Sequence, residues 1–271
     1  MHFLIDADSI IYKAGCANEE RFYYVIDKES GQVVGDFAYK QECYDFVEEQ
    51  GWNKEDFDYD LHKTAGPLSH SLSNAKTLLE GIVSLPQCEE FQVFIGGQDN
   101  YRKRLYKPYK ANRKQEDRPL QEQEIRDYLF DVWNAQVVHG EEVDDKIGIL
   151  MDTESKCCVS IDKDLDNVPG WHYNYDYKEF YFVTQEEATR KFYEQLLSGD
   201  STDNIPGVKG IGKKKAAKIL QDCEDEEEMC QTCFDVYKEK EYNYDYFLMN
   251  AQLIWIRQQE NEFWQPPINL Q

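Results

Sequence analysis

The residues best suited to chemistry in this sequence are acidic side chains that follow short apolar stretches or begin helices. Asp200 and Asp203 lie three residues apart, and Asp6 directly follows the apolar run Phe3–Ile5. Two further groups of the same kind comprise Glu142, Asp144 and Asp145, and Asp162 and Asp164. Carboxylate oxygens are hard ligands that suit Mg²⁺ or Mn²⁺. Without a cation, converging acids would raise one another's pKa, so the sequence predicts a divalent-metal site.

Such a site has a definite chemistry. Two ions about 3.5 to 4 Å apart can assist the attack of water on a phosphodiester and stabilise the leaving oxygen. The sequence contains no zinc-protease, Walker A or serine nucleophile motif that would indicate another reaction. The five histidines follow no motif, and we expect ordinary structural roles for them.

The elements that must position these acids alternate between strand and helix patterns. Apolar strands are predicted at 3–5, 91–95, 136–138 and 157–161, and helices at 9–17, 71–83, 120–134, 142–152 and 186–197. This alternation predicts an α/β fold with a mostly parallel central sheet flanked by helices. Open α/β sheets place their chemistry at the carboxyl ends of strands. An alternative is that Asp6 and Asp8 only cap the following helix, and that the acids at 142–145 only favour a first helical turn.

The remaining segments complete the predicted architecture. Hairpins are predicted at 22–37 and 171–183, a helix at 39–49, an irregular segment at 52–66, an amphipathic helix at 242–256 and a tail at 265–271. We expect one compact unit in which an α/β core, residues 1–185, is followed by a helical C-terminal region, residues 186–271.

Two basic segments interrupt a strongly acidic chain. The net charge is −23, yet residues 102–118 hold eight Lys or Arg against two acids, and residues 209–218 hold five lysines and no acid. In YRKRLYKPYKANR, residues 101–113, tyrosines alternate with cations, a composition that suits nucleic acid. Solvated charged faces are the alternative explanation. Two basic segments in so acidic a chain favour the interpretation that these segments contact phosphate groups.

The second basic segment contains glycines in positions that suit a phosphate clamp. Gly207, Gly210 and Gly212 precede Lys213, Lys214 and Lys215 in GVKGIGKKKA. Glycine permits positive φ and a close approach of the backbone to a partner. The N–H groups at the start of the next helix are suited to phosphate. We therefore predict a grip on a nucleic-acid backbone here.

Composition also limits the setting. No apolar run approaches the roughly 20 residues that span a bilayer, so we expect no membrane partner and a cytoplasmic protein. The eight cysteines lack the spacing of a disulfide framework, and we expect reduced thiols. A lone C-x-x-C pair, Cys230 and Cys233, is weak evidence for zinc.

Five motifs, in order, resemble those of the 5′ nuclease superfamily, which includes flap endonucleases, bacteriophage 5′-to-3′ exonucleases and the 5′-nuclease domain of bacterial DNA polymerase I. GDSTDNIPGVKGIGKKKA is similar to its helix–three-turn–helix signature, placed here at 198–220. LIDADSIIYKA resembles its N-terminal metal motif and YRKRLYKPYKANR its basic arch, placed at 101–118. EVDD, at 142–145, and SIDKDLD, at 160–166, resemble its remaining acidic motifs.

The resemblance implies a PIN-like nuclease core with a helical arch, and it implies a role for each matching residue. Metal ligands would be Asp6, Glu142, Asp144, Asp145, Asp162, Asp164, Asp200 and Asp203. Lys110 and Arg113 would contact the scissile phosphate. Arg102, Lys103 and the 207–215 segment would bind DNA, with two Mg²⁺ or Mn²⁺ ions at the acids and a K⁺ ion as an option at the helix–three-turn–helix loop.

The implied function is a structure-specific 5′-to-3′ exonuclease or flap endonuclease that leaves 5′-phosphates. A monomer in a bacterium or a phage-infected cell is the expected form. Two alternatives remain open. One is a 5′ nuclease that acts on RNA–DNA hybrids. The other is a structure-specific DNA-binding protein without catalysis.

The sequence departs from the family pattern before the arch. The family usually has an Asp in that loop, where this chain reads Ile95-Gly96-Gly97-Gln98-Asp99. Either Asp99 substitutes or one ligand is missing. Asp8 stands where the family commonly has a small polar residue, so it is a candidate for a compensating carboxylate.

Overall fold

The computed structural model describes residues 1–113, 118–152 and 154–270. Residues 114–117 of the predicted arch therefore lie outside the described residues. The strands are β1 His2–Asp6, β2 Glu19–Asp27, β3 Val33–Phe37, β4 Phe57–Ala65, β5 Glu90–Asn100, β6 Gln136–Gly140, β7 Lys156–Val159, β8 Gly170–Asn174 and β9 Glu179–Val183. The α-helices are α1 Asp8–Cys16, α2 Lys40–Glu49, α3 Leu68–Val83, α4 Tyr101–Leu105, α5 Glu122–Trp133, α6 Val143–Leu150, α7 Gln185–Ser198, α8 Lys213–Leu220, α9 Glu226–Glu239 and α10 Tyr244–Ile254.

The larger sheet has six strands in the order β6-β5-β1-β7-β8-β9. Strand β1 pairs in parallel with both β5 and β7, with Ile5 opposite Val93 and Val159. Strands β6 and β8 continue the parallel arrangement, and only β9 is antiparallel, as the second strand of the edge hairpin. The predicted α/β fold with a mostly parallel sheet is confirmed.

The central strands are apolar because both of their faces are covered. Phe3, Leu4 and Ile5 of β1 have no exposed surface. On one face, Ile147 of α6 packs in a cluster that includes Leu4. A strand buried on both sides must be continuously hydrophobic, so the first polar residue marks the edge where the chain leaves the sheet. In β1 that residue is Asp6.

The smaller sheet has the order β3-β2-β4 and carries α2 on one face. Strands β2 and β3 form the predicted hairpin. The expectation of an irregular segment at 52–66 is wrong, because residues 57–65 form β4, antiparallel to β2. The sequence FDYDLHKTA alternates in burial along its first seven residues, and Phe57 joins a core with Val25 and Val47. Its many polar residues concealed this period of two.

The C-terminal helices have their own apolar core. Phe192 and Leu196 of α7, Tyr237 of α9 and Phe247 of α10 are fully or almost fully buried in one cluster. Trp264, from the segment that follows α10, joins the same cluster. Helices α7 and α8 and the turn between them therefore rest on a rigid base.

Contacts among the described residues form two compact units. The first contains the six-stranded sheet and residues Met1–Ile10, Leu79–Lys114 and Leu129–Gln271, and the second contains the three-stranded sheet and residues Ile11–Leu78 and Gln115–Tyr128. The predicted arrangement, one compact unit with a boundary after residue 185, divides the chain elsewhere and stays a prediction. Within the described residues, the search for a helix long and apolar enough to cross a bilayer found none.

Candidate active site

The carboxyl ends of the parallel strands bring three groups of predicted acids to one edge of the larger sheet. Asp6 ends β1, and Glu142 is the N-cap of α6, the helix that follows β6. Asp144 lies in the first turn of α6. After β7 the chain enters a short 3₁₀ turn in which Asp162 is the N-cap and Asp164 a member of the first turn. Asp162 also caps its turn through a side-chain hydrogen bond, and Asp144 lies in a first helical turn, so the capping and site interpretations are compatible at these two positions.

Asp6 is held rigidly at the centre of this group. Its Oδ2 accepts a hydrogen bond of 2.8 Å from the Ser160 hydroxyl, and its Oδ1 accepts one of 3.0 Å from the Asp8 backbone N–H. The side chain is 5% exposed. Burial, with the nearby Asp8 and Asp162 carboxylates, raises the pKa of Asp6 to about 7. Asp6 is therefore a buried carboxylate beside other acids.

Asp144 and Asp164 show the same electrostatic conflict. Burial and the neighbouring Asp162 and Asp6 raise the pKa of Asp144 well above its usual value. Burial and Asp162 also raise the pKa of Asp164 to about 6. Neutral donors relieve this only in part, as when Gln195 Nε2 donates to Asp164 Oδ1 at 2.7 Å.

The basic side chains close to this group, Arg102, Lys110, Arg113 and Lys191, pair with other acids. Within those residues, no Lys or Arg makes a salt bridge to Asp6, Asp144, Asp162, Asp164 or Asp200. Most of these five carboxylates are buried or half-buried and close to one another, and Lys110 and Lys191 offset the charge of Asp144 and Asp164 only in part, so bringing the acids together is costly.

Glu142 and Asp203, in contrast, are neutralised by the predicted arch residues. Lys110 forms ion pairs with Glu142 and, at 3.3 Å, with Asp203. Arg113 pairs with Asp203 through its guanidinium. Burial would raise the pKa of Glu142, but Lys110 and the Arg102 guanidinium lower it to about 2. The Tyr109 hydroxyl lies 2.8 Å from Glu142 and 2.9 Å from Asp203, so it bridges the two acids.

Arg102 and Asp145 form a separate, buried pair. Arg102 is 2% exposed and Asp145 is fully buried. The Arg102 Nη2 donates to Asp145 Oδ1 at 2.9 Å, and Arg102 Nε donates to the Leu253 carbonyl at 2.8 Å. Asp145 also accepts from the backbone N–H groups of Arg257 and Glu142. Asp145 is therefore enclosed by the protein, whereas Arg102, although almost fully buried, also pairs with Glu142 at 3.5 Å.

The end of the basic segment folds onto the loop that carries Asp200 and Asp203. The Lys110 backbone N–H donates to the Asp203 carbonyl at 2.9 Å, and the Asn112 amide donates to the Ser201 carbonyl at 2.9 Å. Asp200 itself caps this loop, since its Oδ1 accepts from the Thr202 N–H at 2.7 Å. The two motifs, some 90 residues apart in sequence, thus form one surface.

A cavity at this edge collects most of the site. It is lined by Arg102, Tyr109, Glu142, Asp144, Asp164, Asn167, Gln195, Asp200, Asp203, Ile205, Leu253, Ile254 and Ile256. In the described part of the chain, no three His, Cys, Asp or Glu side chains stand in an arrangement that would hold an ion as they are. Asp162, Asp164 and Asp200 each hold a hydrogen bond that orients the carboxylate toward the protein.

The helix–three-turn–helix segment has an internal glycine pair and an open end. Gly199 and Gly207 both have positive φ, and a Cβ on Gly207 would lie 2.3 Å from the Gly199 nitrogen. The Gly207 N–H is also used internally, donating to Asn250 Oδ1 at 3.1 Å. Gly207 therefore shapes the turn and is not a surface contact. Gly210 and Gly212, in contrast, have open space where a Cβ would stand.

Helix α8 begins beside those open glycines. Its N-cap, Gly212, supplies no capping side chain, and Lys213, Lys214 and Lys215 are all exposed. The first N–H groups of α8 and three cations therefore share one exposed surface, which suits an anion.

Two other predicted residues lie on the surface. Asp99 is 62% exposed and accepts two hydrogen bonds from Arg104, so it is not among the buried acids. Lys103 is exposed on α4. Sequence reasoning missed Tyr109 and Gln195, which donate hydrogen bonds to the acids. Neither residue belongs to a sequence motif that would have indicated this contact.

Comparisons with known proteins find nucleases among the proteins that this chain resembles. A family model described as "5'-3' exonuclease, C-terminal SAM fold" matches residues 192–261. The flap endonuclease Xni of Shewanella baltica (strain OS185) is 30% identical over 145 residues, which cover 48% of this chain and 55% of Xni. The thermostable DNA polymerase I of Thermus caldophilus is 32% identical over 165 residues, covering 55% of this chain and 20% of the polymerase. The chain thus spans about half the length of Xni and a fifth of that of the polymerase.

Solved structures share the fold over nearly the whole chain. The T5 D15 protein co-crystallised with metal ions has a TM-score of 0.52 and 16% identity, covering 93% of this chain and 88% of that one. A complex of the bacteriophage T5 D15 flap endonuclease with DNA and metal ions has a TM-score of 0.52 and 15% identity, with the same coverage. At this identity the likeness shows the fold. The matched C-terminal family model and the Xni relative support membership of the 5′ nuclease superfamily.

Proposed function

We propose that this chain is a divalent-metal-dependent 5′ nuclease that hydrolyses DNA near a 5′ end or flap and leaves a 5′-phosphate. The observation that carries the proposal is the group of five acids without a basic partner among the described residues, beside Lys110 and Arg113. These acids are Asp6, Asp144, Asp162, Asp164 and Asp200.

The donor set suits Mg²⁺ or Mn²⁺, because it consists of carboxylate oxygens alone and its burial raises several of their pKa values. The five acids would hold two ions, with Glu142 and Asp203 at the margin of the site. When bound, the ions would supply Lewis acidity toward the attacking water and the leaving oxygen. Asp162, Asp164 and Asp200 would exchange their present hydrogen bonds for ligation.

Lys110 and Arg113 would bind the reacting phosphate. Each now forms an ion pair with Glu142 or Asp203 at the rim of the acidic group. A DNA phosphate can replace those carboxylates as the partner, so that Lys110 and Arg113 would both pair with the scissile phosphate. Tyr109, whose hydroxyl contacts both Glu142 and Asp203, would hold these two acids at a fixed separation. The buried ion pair between Arg102 on α4 and Asp145 on α6 would fix the positions of these two helices.

The α8 surface would hold the duplex away from the cut. Lys213–Lys215 and the open N-terminus of α8 offer contacts to phosphates and none to base edges, so recognition would follow DNA structure and not sequence. A K⁺ ion would lie at the turn, beside the exposed backbone of Gly210.

The test is Mg²⁺-dependent cleavage of a 5′-labelled flap, with nicked duplex, single strand and RNA–DNA hybrid as parallel substrates. We expect cleavage of the flap, and a loss of at least about a hundredfold for Asp162→Asn and for Asp164→Asn. Glu239→Gln, an exposed acid on α9, is the matched control and should retain full activity.

Full activity of both Asn variants would exclude the proposed metal site. A preference for the hybrid would replace DNA by RNA as the substrate. Absence of turnover with both Mg²⁺ and Mn²⁺, while the flap is still bound, would favour a DNA-binding protein without catalysis.

A further inference from the structure

Asp8 occupies the space beside Gly96. Asp8 is the first residue of α1, and Gly96 lies on β5, next to β1 in the sheet. The Gly96 N–H points between the two carboxylate oxygens of Asp8, at 3.0 and 3.1 Å. The carboxylate of Asp8 is thus fixed to the neighbouring strand.

The absence of a side chain at Gly96 makes this placement feasible. A Cβ on Gly96 would lie 2.6 Å from Asp8 Oδ2, closer than any real contact. The φ angle of Gly96 is not in the left-handed region, so the backbone itself would accept another residue. Space for the Asp8 carboxylate, and not backbone conformation, is what glycine provides here.

Asp8 also reaches the site directly. Its backbone N–H donates to Asp6 Oδ1 at 3.0 Å. Strand β5, through Gly96, therefore holds Asp8, and Asp8 holds Asp6. A helix cap would need none of this, since an acid in a first turn acts through the N–H groups of its own helix.

We propose that Asp8 is a positioning residue of the carboxylate site: fixed in the space left by Gly96, it orients Asp6 and adds negative charge that raises divalent-cation affinity. This rests on the proposed function, because it presumes that Asp6 is a ligand. Asp99, the other candidate for an additional acid, is exposed and paired with Arg104 and does not share this role.

The test is calorimetric titration of Mn²⁺ into the full chain without DNA, comparing the wild type with Asp8→Asn. Asparagine can still accept the Gly96 N–H through its Oδ1, so it removes the charge and keeps the anchor. We expect the Mn²⁺ affinity to fall by roughly tenfold, the lower end of the range for outer-shell partners of metal ligands. Thermal unfolding in EDTA should change little, whereas a merely structural role would lower the unfolding temperature and leave Mn²⁺ affinity unchanged.

A second variant moves the acid across the contact. Asp8→Ala should also lower Mn²⁺ affinity by roughly tenfold. Asp8→Ala combined with Gly96→Asp places a carboxylate on β5 in the space that Asp8 vacated, and it should recover most of the affinity. No recovery in a double variant that unfolds like the wild type would overturn the claim that this location is what counts.

Asp162→Asn distinguishes a failure of the Asp8 inference from a failure of the proposed metal site. If Asp162→Asn weakens Mn²⁺ binding and Asp8→Asn does not, only the inference about Asp8 is refuted. If Asp162→Asn also binds Mn²⁺ like the wild type, the metal site of the proposed function is refuted, and the role of Asp8 with it.

Discussion

At the scale of single residues, the partner of each acid decides its role. Asp144 and Asp145 are adjacent in sequence, and spacing alone assigns both to the metal site. Because successive helical residues point about 100° apart, Asp144 faces the other acids while Asp145 faces the buried Arg102. A pattern of acids after strands could therefore predict where the site lies. It could not predict which acids are already neutralised, since that depends on cations far away in the chain.

The buried acids predict a pH dependence of stability in the absence of metal. A carboxyl whose pKa rises on folding binds its proton more tightly in the folded state, so stability falls as pH rises through the shifted range. For Asp164 that range runs from 3.8 to about 6, and for Asp6 from 3.8 to about 7. In EDTA, these two acids should therefore contribute a decrease in the free energy of unfolding between about pH 4 and pH 7, against the opposite contribution of the buried His172, whose pKa is lowered.

Asp164→Asn should reduce this decrease by on the order of 2 kcal/mol, because the variant has no proton to lose. Urea unfolding at the two ends of the range measures the difference. Glu239→Gln, which carries the same change in net charge on an exposed face, should follow the wild type. An equal slope in the wild type and Asp164→Asn would show that the Asp164 carboxyl is not perturbed.

The Arg102–Asp145 pair predicts a stability effect that the other acids lack. Asp145→Asn leaves the buried Arg102 guanidinium with only the Glu142 carboxylate, 3.5 Å away and shared with Lys110, which should cost about 3 kcal/mol in the free energy of unfolding. Asp162→Asn should cost little, since that carboxylate has no cation to leave unpaired among the described residues. Urea unfolding of the two variants makes the comparison. A loss below about 1 kcal/mol for Asp145→Asn would contradict the structural role assigned to the pair.

At the scale of elements, a turn joins the two functions proposed for the segment after α7. Asp200 and Asp203 face the sheet edge, whereas Gly210 and α8 face outward, and the Gly199–Gly207 contact closes the loop between them. The sequence could predict the helices and the glycines, because these depend on local preferences. It could not predict that residues 110–112 dock on this loop, since such long-range hydrogen bonds have no local signature.

The α8 surface predicts a specific change in salt dependence. Replacing Lys213, Lys214 and Lys215 together by Ala should weaken duplex binding and lower the slope of log K against log salt by up to about 0.9 per lost phosphate contact. Replacing Lys28, Lys40 and Lys54 together removes the same charge from the smaller sheet and α2, and is the matched control. Fluorescence anisotropy over a salt series measures both. Equal slopes for the two triple variants would mean that the effect is only one of net charge.

At the scale of the whole molecule, the charge distribution reconciles an acidic protein with the proposed nucleic-acid function. The net charge of −23 would repel DNA, but the exposed lysines of α8 form a local surface of the opposite sign. The mostly parallel character of the six-stranded sheet could be predicted, because apolar strands alternate with helices, whereas the order of its strands could not. Strand β4 could not be predicted, because its many polar residues conceal the alternation between buried and exposed positions. The boundaries of the compact units could not be predicted either, because residues 118–128 group with the 11–78 segment through contacts distant in sequence.

The same acidity makes the response to divalent ions a test of the site. Any salt screens a charge of −23, so NaCl should raise the unfolding temperature modestly. MgCl₂ at matched ionic strength should raise it further, because ions that bind only the folded state stabilise it by about 2.7 kcal/mol at a hundredfold excess over Kd. For a chain of this length that corresponds to roughly 5 to 10 °C. Asp144→Asn should lose the additional rise and keep the NaCl response, whereas Glu239→Gln should keep both. If MgCl₂ and NaCl act equally on the wild type, the acids at the sheet edge bind no divalent ion, and their convergence needs another explanation.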